Sequence, residues 1–176
     1  MQRSRRMVAL VVLLMLLLSS QVAIANSGGK YNSSSGCNCH GGSAASPTPS
    51  HNFPSTYSPG QIYSLSIGMN GGVSGSEGGF NLQVSSGTLS TGVGIMNTQV
   101  NSAGNQATHQ FPDYRSWSLE WTAPSSGSGA VTFSLAVLAA NGNGANSGDG
   151  WGTVSFQSTE SSGSTNTPPE AQSVSF

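Results

Sequence analysis

Charge is scarce in this sequence. Asp, Glu, Lys and Arg make up 6% of its 176 residues, and three of the five basic ones, Arg3, Arg5 and Arg6, crowd the N-terminus. From residue 26 onward only Lys30 and Arg115 stand against Glu77, Asp113, Glu120, Asp149, Glu160 and Glu170, a formal charge of −4. Nucleic acid and anionic lipid both require a basic surface, so neither is expected as a partner. Helical periodicity is missing as well, since no segment carries a convincing apolar stripe. Beyond the N-terminus no apolar run is long enough to span a bilayer. Catalytic patterning is absent too. Glu77 and Glu120 are isolated, and no serine lies in a nucleophile-elbow context, so the chain is not expected to be an enzyme. Cysteine is limited to Cys37 and Cys39, and histidine to His40, His51 and His109.

The N-terminus has the form of a secretory signal. A basic start precedes an apolar core from Val8 to Leu18, and Ala23-Ile24-Ala25 supplies a small-x-small cleavage pattern. The expected mature chain starts at Asn26, and no cysteine at that point invites a lipoprotein anchor. Such a chain is secreted, and ends outside the cell or on its surface. There a free thiol is a liability, so both cysteines are expected to be used by a disulfide, a metal or a covalent cofactor.

Residues 26–60 are rich in Ser, Gly and Asn, then punctuated by Pro47, Pro49, Pro54 and Pro59. They read as an irregular arm that something other than a hydrophobic face must pin. Asn32-Ser33-Ser34 within it is an N-glycosylation sequon. From residue 61 the pattern turns to period two. Tyr63, Leu65, Ile67 and Met69 alternate with small or polar residues. So do Phe80, Leu82 and Val84; Trp117, Leu119 and Trp121; Val131, Phe133, Leu135 and Val137; and Val154 and Phe156. Weaker strand signals lie at Val93–Met96 and Gln106–Phe111. Pro124 stops the Trp-containing strand, and Trp117 and Trp121, on one face of it, are expected in the core. About seven short strands separated by Gly and Asn turns predict an all-β antiparallel sandwich over 61–157. Asn141–Asp149, with a single carboxylate, reads as a turn cluster rather than a calcium loop. Residues 158–176 fall back to a Ser/Thr/Pro linker, or to the start of a further module.

The chemistry is concentrated in Gly36-Cys37-Asn38-Cys39-His40-Gly41-Gly42. Three uses of these residues are open. In the c-type haem pattern Cys-x-x-Cys-His, two thiols bond the haem vinyls and the adjacent imidazole ligates iron. Here the spacer is one residue, Asn38, which makes one thioether easy and two demanding. Alternatively, two thiolates and His40 could hold zinc or copper with His51 or His109, although a second paired-ligand motif is lacking. Finally, Cys37 and Cys39 could form a small disulfide with no cofactor at all.

The order of motifs resembles a known family. After Cys-x-Cys-His come Tyr57-Ser58-Pro59-Gly60-x-x-Tyr63, Gly78-Gly79-Phe80-x-Leu82, a lone His109, Trp117-Ser118-Leu119-Glu120-Trp121-Thr122-Ala123-Pro124, and Asn141-Gly142-Asn143-Gly144 with Ser147-Gly148-Asp149. The series resembles the reelin-type (reeler) domain and its prokaryotic relatives, the choice-of-anchor V surface proteins, from about Gly36 to Phe156. The resemblance implies an Ig-like β-sandwich on a secreted or cell-surface protein, and by itself no enzymatic activity. Many prokaryotic relatives carry Cys-x-x-Cys-His near the start of the domain, and the shortened spacer here departs from that pattern. The expectation is therefore one haem c held through Cys37 and/or Cys39 with His40 as axial ligand. His109 is the preferred second axial ligand, ahead of His51 and Met96. Such a module would carry single electrons to a redox partner. The competing expectation is a non-catalytic adhesion or matrix module that meets a surface polymer.

Overall fold

The structure is a computed structural model that describes residues 26–37, 39–40 and 45–162. The signal-like segment, Asn38, Gly41, Gly42 and the tail with Pro168-Pro169 lie outside the described residues.

Every regular element among the described residues is a strand. They are β1 (Thr48–His51), β2 (Thr56–Tyr57), β3 (Ile62–Asn70), β4 (Gly78–Val84), β5 (Thr88–Ser90), β6 (Thr98–Val100), β7 (Gln106–His109), β8 (Ser116–Thr122), β9 (Val131–Ala139) and β10 (Gly150–Glu160). They form two sheets, of order β1-β3-β8-β5 and β2-β10-β9-β4-β7-β6. All pairings are antiparallel except the short β2–β10 contact, which is parallel. Among the described residues no helix is long and apolar enough to cross a membrane.

The alternations fix which side of each strand faces inward. Leu65 and Ile67 of β3 and Trp117, Leu119 and Trp121 of β8 bury against Phe80, Leu82 and Val84 of β4 and Val131, Phe133, Leu135 and Val137 of β9. Polar neighbours such as Ser64, Ser66 and Ser118 stay in water. Trp121 meets Phe133 edge-on at 4.9 Å, Phe53 stacks on Phe133 at 4.7 Å, and Phe80 tilts against Trp117 at 4.9 Å. Each such side chain, fully buried, contributes roughly 1.5–3 kcal/mol. The two tryptophans are core residues, as their spacing predicts.

Several boundaries differ from the sequence expectation. Sheet structure begins at Thr48, not at residue 61, because β1 adds to the free edge of β3. Pro49 is tolerated there because an edge strand has one unpaired side. β10 runs on to Glu160, three residues past 157. Its carboxylate is met by the backbone N–H groups of Gly127 and Gly129, which hold it below the usual carboxylate range. Val93–Met96 is not a strand; Val93 and Met96 are among the most exposed apolar residues, and the strand there is Thr98–Val100. The Tyr57–Tyr63 motif has a structural task. The Tyr57 hydroxyl donates to Gly129 O at 2.6 Å, and the Tyr63 hydroxyl accepts Ser58 N–H at 2.8 Å.

Candidate functional site

Part of the outer face of the six-stranded sheet is not left to solvent. Strand alternation turns Gly79, Asn81 and Gln83 of β4 outward, beside Gln106 and Thr108 of β7 and Ala136 and Leu138 of β9. Asn81, Gln106 and Thr108 are nevertheless buried. The arm before β1 covers them. Asn32 N–H donates to Gln106 Oε1 at 2.7 Å, and Gln106 Nε2 returns a bond to Asn32 Oδ1 at 2.7 Å. Ser33 N–H donates to Asn81 Oδ1 at 3.0 Å, and Lys30 N–H to Thr108 Oγ1 at 3.3 Å. Asn32 makes its turn at φ 61°, a left-handed conformation that Asn tolerates better than most residues. Its side-chain amide is thereby committed to Gln106. A polar arm with no hydrophobic face is held by amide pairs whose other half sits on the sheet.

Between arm and sheet lies a cavity of about 580 Å³. That is within the roughly 300–1,000 Å³ of pockets that bury an organic ligand or cofactor. Its floor includes Gly78, Gly79, Phe80 and Leu138, and Cys37, Cys39, His40 and His109 line it together. His51 does not. It stacks on Phe53 at 4.2 Å and meets Phe156 edge-on at 5.1 Å, within β1, so the expectation that it serves as a ligand finds no support in its position. Met96 does not line the cavity either.

His40 is the most constrained of the four. Its Nδ1 lies 2.7 Å from Oδ2 of Asp149, whose side chain is 1% exposed. The other oxygen of Asp149 accepts Asn141 N–H at 2.9 Å. A buried carboxylate accepts, so Nδ1 donates and the lone pair of Nε2 is left available. The loop from Asn141 to Asp149 is built from turns: Asn141 Oδ1 accepts Asn143 N–H at 3.0 Å, and Asn143 Oδ1 accepts Ala145 N–H at 2.8 Å. Arg115 anchors the approach to it by donating to Glu77 O, Val73 O and Ala140 O, each at 2.9 Å. The loop also reaches the arm through Asn146 Nδ2, which donates to Cys39 O at 2.7 Å.

His109 sits where the β4–β7 ladder ends at Asn81↔Thr108. Its Nδ1 takes the Phe80 N–H at 3.2 Å. The ring packs so closely on Gly79 that a Cβ there would collide with it, at 2.5 Å from Cε1. Burial pushes its pKa below the ordinary histidine value. When Nδ1 accepts from Phe80, the proton resides on Nε2. Coordination through Nε2 would require Nδ1 to become the donor, toward Phe80 O at 3.5 Å or Thr108 Oγ1 at 3.4 Å.

Cys37 and Cys39 are both free thiols. Burial, with Cys39 close by, pushes the Cys37 thiol up to about 11. Cys39 is exposed, and Lys30 Nζ lies 3.6 Å from its sulfur. Among the described residues no group of three or more His, Cys, Asp or Glu side chains is arranged to hold a metal ion. The zinc or copper set expected from Cys37, Cys39, His40 and His51 or His109 is therefore not assembled there. The residues that sequence reasoning missed are Asp149 and the arm anchors Asn81 and Gln106. The one available signal for Asp149 was its standing as the sole acid in a Gly/Asn loop.

No family model matches the chain, and no curated protein matches it. Among solved structures it is similar to the reelin-N domain of F-spondin, with 18% identity over 77% of this chain and 94% of that one, at a TM-score of 0.48. A human F-spondin reeler domain is 16% identical over 69% of this chain and 96% of its own, at 0.44. A DUF4466 family protein from Parabacteroides merdae is 16% identical over 65% of this chain and 43% of its own, at 0.36.

Proposed function

We propose that this β-sandwich is an exported module that holds one c-type haem on the outer face of its six-stranded sheet and passes single electrons to a redox partner. The observation that carries the reading is the spread of the donors. Cys37, Cys39, His40 and His109 line one cavity without converging on a single point. A bare ion needs convergence. A haem does not, because its thiols bond the rim of a wide macrocycle while the imidazole binds at the centre. On the floor, Leu138 and the glycines at 78 and 79 suit a flat apolar group.

In this reading the haem supplies the one-electron iron couple. The chain supplies the rest. Cys39, exposed and beside Lys30, is the better placed sulfur for attachment. Cys37 is the more buried. His40 would hold the iron through Nε2, and His109 would add a second bond to it only with its own ring proton on Nδ1. The arm excludes water from the sheet side of the cavity.

Expression of the full chain in a host with haem-maturation machinery tests the reading. The expected product is coloured, with a Soret band that survives denaturation and a haem mass on the peptide containing Cys37 and Cys39. Colourless protein whose two sulfurs are joined only to each other would overturn it, and would leave a structural surface module in its place.

A further inference from the structure

We infer that Asp149 is a positioning residue for His40, fixing its tautomer and making it a strongly electron-donating axial ligand that favours oxidised iron; this rests on the haem reading above. The inference begins with a carboxylate in an unusual place. Asp149 is buried at the end of an Asn/Gly loop, where turns need no acid. Among the described residues no lysine or arginine serves it. Arg115 is spent on three backbone carbonyls, and Lys30 points to Cys39. Its partners are the Asn141 N–H on one oxygen and His40 Nδ1 on the other. Burying an anion without a cation is costly unless strong donors satisfy it, and these two contacts supply the donors.

The contact joins the arm to a residue 109 positions away. The Asn146–Cys39 bond beside it fixes the backbone next to the ring. The loop therefore sets both the place of the imidazole and its electronic state. An imidazole whose Nδ1–H is held by a carboxylate is a more basic ligand at Nε2 than one held by a carbonyl. A more basic ligand stabilises the ferric over the ferrous state and lowers the potential.

The test compares haem-loaded wild type with Asp149→Asn by potentiometric titration, beside Glu120→Gln, which removes a carboxylate that does not line the cavity. Asp149→Asn is expected to weaken the ferric preference about tenfold, a rise of about 59 mV for a one-electron couple, with Glu120→Gln unchanged. The wild-type chain before loading provides a second readout that needs no variant. Long-range proton–nitrogen NMR is expected to show His40 protonated at Nδ1. A loaded Asp149→Asn protein with the wild-type potential, or His40 protonated at Nε2, would overturn the role of Asp149 while leaving the haem reading intact. Wild type that takes no haem would overturn both.

Discussion

The two sulfurs, two positions apart, sit in different surroundings. Cys37 faces the buried side of the arm, and its thiol is pushed up to about 11. Cys39 is exposed beside an ammonium group. The thiolate is the reactive form, so iodoacetamide at pH 8 is expected to modify Cys39 about tenfold or more faster than Cys37 in the native chain, and both alike in urea. Equal native rates, read by peptide mass, would contradict the burial of Cys37. The sequence made the Cys-x-Cys-His run legible because its three chemistry-bearing residues are neighbours. It could not reveal Asp149, because nothing local links an acid in a turn cluster to a histidine on the far side of the chain. Nor could it reveal which nitrogen of His109 is free, since that depends on a Phe80 N–H exposed by the end of a ladder.

At the scale of elements, strands that are long and inward-facing on one side were readable: β3, β4, β8, β9 and β10 follow their alternations. The two- to four-residue strands β1, β2, β5 and β6 were not, because partners supply their order rather than their own pattern. Asn81, Gln83 and Gln106 support the arm, and no local pattern in the sequence marks them for it. Asn81 accepts from Ser33 and donates to Ala107 O at 3.1 Å. Asn81→Ala removes both bonds and leaves a buried carbonyl and N–H without them. A loss of about 1–3 kcal/mol in a urea melt is expected, together with faster alkylation of Cys37 as the arm loosens. A stability loss with Cys37 still protected would show that the arm is held elsewhere.

For the molecule as a whole, acid is the condition to which it is most exposed. Burial lowers the pKa of His109 and of His51, so the unfolded chain binds protons at these rings that the folded chain refuses. Stability therefore holds above the unfolded histidine value of about 6.5 and falls as pH drops through the lower folded values. The urea midpoint is expected to be lower at pH 5.5 than at pH 7.5. Equal midpoints, or a higher one in acid, would mean that these rings are more open than their packing on Gly79 and Phe53 indicates.

The cavity lies outside the hydrophobic core rather than within it, and the sheet face under the arm carries the amides of Asn81 and Gln106 and the hydroxyl of Thr108, which water can serve as well as the arm does. Scaffold and cofactor seat are consequently separable. A descendant that shed its first forty residues would still close its two sheets, would wet a face already suited to wetting, and would be released to carry some other cargo there.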